Sequence, residues 1–221
     1  MVPTAIVRQA KSVGLDAIAV CDHNSVANAL SVARVGERES LAVIPGIEIT
    51  TREEVHILGL FGSRQDLSGI QELVDKNLSG ENDEKAFGIQ VVVDEWDEPM
   101  ELETKLLIGA TALTLEEVVD AIHGFGGLAI AAHIDREGFG LVGQLGFVPP
   151  RLGLDALEVS ARVSHREWVE KWTDIPVITS SDAHSLMDIG RSSTSFLARA
   201  ASLDEFGKAL ARKDGRKVVV H

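Results

Sequence analysis

Metal-binding residue types follow short apolar stretches at four places in this sequence. The apolar stretches cover residues 17–21, 41–47, 128–132 and 176–179. The residues that follow them are Asp22, His23, Glu48, His133, Asp182 and His184. Imidazole nitrogens and carboxylate oxygens are common protein ligands of zinc and related divalent cations. The pattern therefore predicts a metal site and favours a metal-dependent enzyme.

Two groups of candidate ligands have a spacing that suits metal binding. Asp182 and His184 are two positions apart just past an apolar stretch, so both side chains can point into one cleft. Glu48 and His56 lie eight residues apart on two extended segments that one turn can bring face to face. A carboxylate can bridge two cations through its two oxygens, which is an arrangement that suits two-metal hydrolases.

Structural roles remain alternatives for several of these residues. His23 could cap the following helix with Asp22 paired to the backbone, and His133 could be a buried core histidine. Because candidate ligands recur at four strand ends, we favour the metal interpretation for the set. The other three histidines are interpreted as structural residues: His123, His165 and His221.

Strands and helices are predicted to alternate along the chain, because short apolar stretches bounded by Gly, Pro or Ser are separated by helical patterns. The predicted strands are 16–21, 41–50, 55–61, 128–132, 155–160, 176–179, 193–198 and 217–220. The predicted helices are 3–13, 26–38, 65–76, 114–124, 164–172 and 202–212. Such alternation predicts an α/β barrel or layered sheet of buried parallel strands. The candidate ligands would meet at the carboxyl ends of the strands, where barrel enzymes carry their active sites.

Length and composition indicate one acidic domain. The chain has 221 residues and 45% hydrophobic content, which is enough for one core and little for two, so residues 1–221 are predicted to form a single domain. A net charge of −13 argues against binding of long nucleic acid, which needs clustered basic residues. No apolar stretch could span a membrane, no signal peptide is evident, and Cys21 is the only cysteine, so we expect a cytoplasmic protein.

Residues 81–106 depart from the strand–helix alternation. Nine acidic residues and one Lys lie between Glu81 and Glu103, around the β-prone sequence of residues 89–93. A charge-dense segment is usually exposed, which favours a solvated hairpin or loop insertion. A lid or a partner-binding arm over the site is the alternative.

Four motifs, in this order, resemble those of the polymerase-and-histidinol-phosphatase (PHP) superfamily. They are residues 14–25 (GLDAIAVCDHNS), residues 45–48 (PGIE) with 56–59 (HILG), residues 132–136 (AHIDR) and residues 181–184 (SDAH). The resemblance extends from about Thr4 to Val220. It implies a distorted (β/α)7 barrel that holds up to three divalent ions, commonly zinc, manganese or iron, and hydrolyses phosphoesters with metal-activated hydroxide.

The resemblance also implies roles for individual residues. Glu48, His56 and His133 resemble the ligands of one ion. Asp182 resembles a ligand of a second ion, and His23 with His184 resembles the set around a third. Arg136 is a candidate phosphate clamp, because guanidinium binds phosphate through two parallel hydrogen bonds. Asp22 is a candidate for orienting a ligand or relaying a proton, Arg191 is a second candidate clamp, and surface ion pairs are the alternative for both arginines.

One motif of the superfamily has no counterpart in this sequence. Members begin with a strand that carries a His-x-His pair and a further ligand, and nothing of this kind precedes Met1. We therefore expect a barrel without its first strand, and fewer than three bound ions. A chain begun at an internal methionine is the favoured explanation, and a natural short form is the alternative. Either case predicts an unpaired edge on the strand of residues 17–21, another on the strand of residues 217–220, and self-association through the gap.

Three functions are compatible with these features. The first is hydrolysis of phosphoester bonds in a small phosphorylated metabolite or nucleotide. The second is nuclease action on short oligonucleotides with the same chemistry. The third is a catalytically impaired or non-catalytic domain, because the first metal-binding motif is absent.

Overall fold

The computed structural model describes residues 1–219, and helices and strands alternate over most of this range. The strands are β1 (Ala17–His23), β2 (Ala42–Thr50), β3 (His56–Leu60), β4 (Gln90–Val93), β5 (Pro99–Glu103), β6 (Leu128–Ala131), β7 (Ala156–Val159), β8 (Val177–Thr179), β9 (Ser195–Leu197) and β10 (Lys217–Val219). The helices are α1 (Pro3–Ser12), α2 (Ala27–Glu39), α3 (Arg64–Asn77), α4 (Glu84–Phe87), α5 (Leu115–Gly124), α6 (Leu141–Leu145), α7 (His165–Lys171) and α8 (Leu203–Leu210). A short 3-10 helix covers Leu186–Asp188. Val220, predicted to end the last strand, and His221 lie outside the described residues.

Six strands form one mixed sheet in the order β1-β2-β3-β6-β7-β8, and this sheet curls into a half-barrel. The β1–β2, β6–β7 and β7–β8 pairs are parallel, as the alternation of strands and helices predicts. Strand β3 is the exception, because it pairs antiparallel with both β2 and β6. The connection between β2 and β3 covers only residues 51–55, which is too short for the crossover that a parallel pair needs.

The open side of the half-barrel lies between β1 and β8 among the described residues. The prediction that the strand near residue 217 forms the far edge of this sheet is wrong. Strand β10 pairs antiparallel with β9 in a separate sheet of two strands, in which Lys217 is opposite Leu197. The chain leaves the main sheet after β8 and passes through the short 3-10 helix first, so β9 and β10 form outside it.

Side chains alternate between the two faces of the curled sheet, and this alternation determines what lies inside it. The inner face near the amino ends of the parallel strands is apolar, with a buried cluster that includes Ile44, Ile130 and Ile178. The outer face packs against helices in a larger cluster that includes Ile47 of β2 and Ile122 of α5. The inner positions nearer the carboxyl ends carry the polar candidate ligands, so an apolar floor supports them.

The acidic insertion folds as the β4–β5 hairpin and packs against α2. Arg34 of α2 forms an ion pair with Glu95 at 2.8 Å, and Arg38 lies 4.5 Å from the centre of the Trp96 ring. Strand β5 is mostly exposed on the other side, as the solvated-hairpin interpretation predicts. The hairpin is therefore anchored to the outside of the half-barrel through α2.

An ion pair fastens the C-terminal helix to the chain that follows it. Both side chains are buried: Arg216 donates from Nε and Nη2 to the two carboxylate oxygens of Glu205 on α8, each at 2.9 Å. The hydrogen bonds from Arg216 and from the Arg199 backbone hold the pKa of Glu205 well below its usual value, at about 2. No helix in residues 1–219 combines the length and the apolar character needed to cross a membrane.

Candidate metal centre

Glu48 is the centre of the candidate site, because three strands converge on its carboxylate. In the parallel pairing of β1 with β2, His23 is directly opposite Glu48. The antiparallel β2–β3 hairpin brings His56 back beside the end of β2, where it is opposite Thr50. All of these residues stand near the carboxyl ends of β1 and β2, and Glu48 itself is only 6% exposed.

Three ligand atoms form a compact triangle on one side of this carboxylate. Glu48 Oε1 lies 2.9 Å from His56 Nδ1 and 3.4 Å from His133 Nε2, and the two ring nitrogens are 3.3 Å apart. In a tetrahedral zinc site, with metal–ligand distances of about 2.0–2.1 Å, neighbouring ligand atoms lie about 3.3 Å apart. Glu48, His56 and His133 therefore match the ligand spacing of a tetrahedral divalent cation.

His23 faces the other oxygen of the same carboxylate. Its Nδ1 lies 3.3 Å from Glu48 Oε2, and ligand atoms of His23, Glu48 and His56 all lie within 4.8 Å of one another. A carboxylate with histidines on both oxygens can hold two neighbouring cations together.

The protonation of these groups also suits cation binding. Burial by itself would raise the pKa of Glu48, but hydrogen bonds from His133 and His56 outweigh it and hold that pKa well below its usual value. The carboxylate is therefore ionised. Burial lowers the pKa of His23, although the Glu48 charge opposes the effect, so the ring is neutral and can offer a lone pair.

Unpaired buried atoms show that the cluster does not satisfy its own polar groups. Nδ1 of His23 and Nδ1 of His133 are buried and make no hydrogen bond with any group of residues 1–219, and the same holds for Oγ1 of Thr50. Buried polar atoms without partners are uncommon in folded proteins and point to a ligand or ion. The donor set, the spacing and the unpaired His23 nitrogen together fit a divalent cation.

Asp182 lies in a second part of the site, paired with Arg136. Arg136 Nη2 is 2.6 Å from Asp182 Oδ2, yet Oδ2 makes no hydrogen bond of acceptable geometry and Arg136 Nε is buried without a partner. The side chain of His184 is 71% exposed, with Nδ1 at 3.8 Å from Asp182 Oδ1 and 3.0 Å from the Asp182 carbonyl oxygen. The structure thus gathers three predicted ligands, His23, His56 and His133, around a fourth, Glu48, and leaves Asp182 and His184 outside that cluster.

Asp22 is next to His23 in β1, and neighbouring strand residues point to opposite faces. The Asp22 carboxylate interacts with the Asn28 side chain of α2, on the outer side of the sheet. Burial raises the pKa of Asp22, while the Asn28 hydrogen bond lowers it in part. The Asp22 carboxylate thus faces α2, while the His23 ring faces Glu48.

Two residues near the cluster were not predicted from the sequence. Phe139 stacks on the His56 ring at 4.5 Å between centroids, and its carbonyl oxygen accepts from the His56 backbone N–H at 2.9 Å. Glu158 on β7 is 4% exposed and accepts a hydrogen bond from Ser180 Oγ. The two-residue period of β7 identifies Glu158, because Ala156 of the inner apolar cluster is two positions before it. No local pattern identifies Phe139.

Comparisons with known proteins agree with this architecture. A family model described as PHP-associated matches residues 166–214. The uncharacterized protein YqxK of Bacillus subtilis is 33% identical over 118 residues, which are 50% of this chain and 30% of YqxK. The chain thus spans less than a third of that relative.

Solved structures similar to this chain include nucleases and phosphoesterase candidates. The lesion-specific endonuclease PfuEndoQ of Pyrococcus furiosus has a TM-score of 0.66 and 20% identity, over 99% of this chain and 53% of PfuEndoQ. A candidate metal-dependent phosphoesterase of Bifidobacterium adolescentis has a TM-score of 0.62 and 20% identity, over 96% of this chain and 91% of that protein. The chain spans about half the length of PfuEndoQ.

The fold and the Glu48 cluster define an α/β half-barrel protein with a histidine–carboxylate centre at the carboxyl ends of its strands. The fold is like that of the PHP-like metal-dependent phosphoesterases, and residues 166–214 match the PHP-associated family model. The resemblance predicted from the sequence motifs is confirmed at this level, as is the barrel-like α/β fold class.

Proposed function

We propose that this protein hydrolyses phosphoester bonds in a small phosphorylated metabolite or nucleotide and needs divalent cations to do so. The observation that carries the proposal is the convergence of three histidines on the two oxygens of one buried, ionised carboxylate. A purely structural histidine cluster would be expected to satisfy its ring nitrogens internally, whereas two of these nitrogens make no hydrogen bond within residues 1–219.

Each ligand has a defined role in the proposal. Glu48 accepts cations on both oxygens, with His56 and His133 completing one position and His23 contributing to the other. Zinc, manganese and iron suit this mixture of imidazole and carboxylate donors. Divalent cations in such a site lower the pKa of bound water and neutralise charge on phosphoryl oxygens.

Arg136 and Asp182 would respond to the substrate, Arg136 by binding its phosphate and Asp182 by losing its pairing with Arg136. Arg136 is half-buried, and its Nε has no hydrogen-bond partner in the described part of the chain, so the guanidinium retains a donor for a phosphate oxygen. Among residues 1–219, this guanidinium is the only arginine or lysine group that pairs with Asp182. The phosphate of a substrate would compete with Asp182 for Arg136, and release of Asp182 would free a carboxylate for a further cation.

A nuclease acting on short oligonucleotides is the second candidate. Its support is the structural similarity to endonuclease Q, including a complex with a 27-mer duplex that carries an abasic lesion, at a TM-score of 0.67 over 96% of this chain. The formal net charge of −13 opposes binding along a long duplex, because no excess of basic residues is available to displace phosphate counterions. Short oligonucleotides, which need few phosphate contacts, are therefore the nucleic acid to test.

The test is a substrate screen with metal-reconstituted protein. Phosphomonoesters, nucleotides and oligonucleotides of two to five residues are incubated with Mn²⁺ or Zn²⁺, and phosphate or shortened product is measured. We expect metal-dependent hydrolysis that is lost in Glu48→Gln and Asp182→Ala, and retained in Glu54→Gln, which changes an exposed carboxylate in the β2–β3 loop. No turnover of any substrate by a protein that binds metal would support the non-catalytic alternative instead.

A further inference from the structure

Two residues of the site are held in an unusual backbone conformation. His133 has a φ of 30° and Asp182 a φ of 45°, both in the left-handed region that residues with a Cβ rarely adopt. Residues held in this way at functional sites persist only when surrounding interactions determine them. The interactions that hold the two turns, residues 132–136 and 180–184, are therefore part of the site.

The backbone ladders of the sheet end before these turns begin. The last β6–β7 pair is Ala131 with Leu157, and the last β7–β8 pair is Val159 with Thr179. Beyond these pairs two backbone bonds tie the first turn to the sheet: the Ile134 N–H donates to the Glu158 carbonyl oxygen at 2.8 Å, and the Ala132 N–H donates to the His56 carbonyl oxygen at 3.1 Å. Side chains must supply the remaining links.

Asp135 makes the first side-chain link, between the His133 turn and the end of β7. Its Oδ1 accepts from the Ser160 backbone N–H at 2.7 Å, and its Oδ2 accepts from Ser160 Oγ at 2.6 Å. Ser160 is buried, and Asp135 is the second residue after His133. Both carboxylate oxygens are thus used to fasten this turn to the neighbouring strand.

Glu158 makes the second link, between β7 and the Asp182 turn. Its Oε2 accepts from Ser180 Oγ at 2.7 Å, and Ser180 is the second residue before Asp182. On the opposite side the same turn is held by Ser181, which donates from Oγ to the Ser192 carbonyl oxygen at 3.2 Å and accepts from the Gly190 N–H. Ser180 is therefore the contact that ties this turn to the strand beside it.

We infer that Asp135 and Glu158 are positioning residues, each of which hydrogen-bonds a serine across adjacent strands and thereby holds His133 or Asp182 in its left-handed, ligand-presenting conformation. Neither carboxylate needs to touch substrate or cation for this role. The inference concerns the same site as the proposed function, but it predicts backbone behaviour in the metal-free protein as well.

The experiment compares variants that break a link with variants that keep it. Ser180→Ala and Asp135→Ala remove the links, Glu158→Gln keeps an oxygen that can accept from Ser180, and Ser31→Ala removes a buried hydroxyl on α2 as a control. Amide hydrogen exchange of the metal-free proteins is followed in residues 132–136 and 180–184. Mn²⁺ affinity is measured by calorimetry, and thermal unfolding is recorded for each protein.

We expect faster exchange in the 180–184 turn of Ser180→Ala and in the 132–136 turn of Asp135→Ala, with the rest of the sheet unchanged. Changes to residues that orient metal ligands typically weaken metal binding about 10–100-fold, so the Mn²⁺ dissociation constant should rise at least tenfold in both variants. Glu158→Gln and Ser31→Ala should bind Mn²⁺ with an affinity close to that of the wild type, well short of this tenfold loss.

Other results would overturn the inference. Unchanged exchange in both turns, or equal loss of affinity in Ser180→Ala and Ser31→Ala, would show that the links do not position the ligands. If Asp135→Ala does not fold, Ser180→Ala still decides the question for the Asp182 turn. If the wild type binds no Mn²⁺, the proposed function fails, while the exchange data on metal-free protein still decide whether the two carboxylates hold the turns.

Discussion

The guanidinium of Arg136 lies 2.6 Å from the carboxylate of Asp182, so the candidate phosphate clamp neutralises a candidate metal ligand. A cation and the guanidinium would compete for the same oxygen, because both are attracted by its negative charge. We therefore expect Arg136→Gln to bind additional divalent metal or to bind it at least several-fold more tightly. Calorimetric titration of metal-free protein with Mn²⁺ measures the number and affinity of sites.

Arg191→Gln is the matched control for this change. Arg191 forms an ion pair of the same length, 2.6 Å, but its side chain is 64% exposed and its partner, Asp188, is not a predicted metal ligand. Its removal should leave metal binding as in the wild type. Equal metal binding by the two variants and the wild type would mean that Arg136 does not restrict access to Asp182.

Replacement of Glu48 should abolish metal binding more completely than replacement of any single histidine. Both of its oxygens face histidine nitrogens, so Glu48→Gln removes the one anion that two cation positions share. We expect the metal content of purified Glu48→Gln, measured by elemental analysis, to fall to the background level. Each of His23→Ala and His133→Ala should retain part of it, and full metal content in Glu48→Gln would rule out the Glu48 cluster as the metal centre.

The pH dependence of stability should report the buried carboxyl of Glu158. Burial raises the pKa of Glu158 from its ordinary value of 4.5 to about 7, although the Ser180 hydrogen bond and the His133 charge lower it in part. Between these two values the folded protein holds a proton that the unfolded chain releases, so this group destabilises the fold progressively as the pH rises. Glu158→Gln has no such proton and should gain stability relative to the wild type across this range.

Urea unfolding of the metal-free proteins at pH 5 and pH 8 tests this expectation. The unfolding free energy of Glu158→Gln, relative to that of the wild type, should be higher at pH 8 than at pH 5. Glu98→Gln, which changes an exposed carboxylate on the acidic hairpin, should show no such pH-dependent difference. A difference for Glu158→Gln that is the same at both pH values would indicate that Glu158 is ionised throughout.

Strand β1 offers an edge for self-association, because among residues 1–219 it pairs only with β2 in the main sheet. Ala19, in the middle of β1, is exposed. Exposed strand edges pair with other chains unless charges or coverings prevent it. We expect a concentration-dependent dimer in analytical ultracentrifugation that Ala19→Lys weakens and Ala112→Lys, at an exposed site away from β1, does not. A strict monomer at high concentration would contradict this expectation.

Much of the local structure could be predicted from the sequence, because it follows from short-range periodicity. The two-residue and 3.6-residue patterns of apolar side chains identify the strands and helices of the half-barrel. The capping box at Thr114 and Glu117, with both reciprocal hydrogen bonds, starts α5 where the sequence indicates a helix. The same alternation places Asp22 and His23 on opposite faces of β1 and Glu158 on the inner face of β7, so these two placements were also available from the sequence.

Which side chains meet depended on the tertiary structure. The direction of β3 and the separation of β9 and β10 from the main sheet follow from turn length and from the path of the chain after β8. The antiparallel pairing of β3 with β2 and β6 brings His56 and His133 to one oxygen of Glu48. The pairing of Arg136 with Asp182 likewise joins residues that are far apart in sequence. The exposure of His184 depends on the conformation of the turn that carries it. Local periodicity determines which way a strand residue points, but the distance between two ligand atoms on different strands is determined by strand order, register and turn geometry, which no short stretch of sequence specifies.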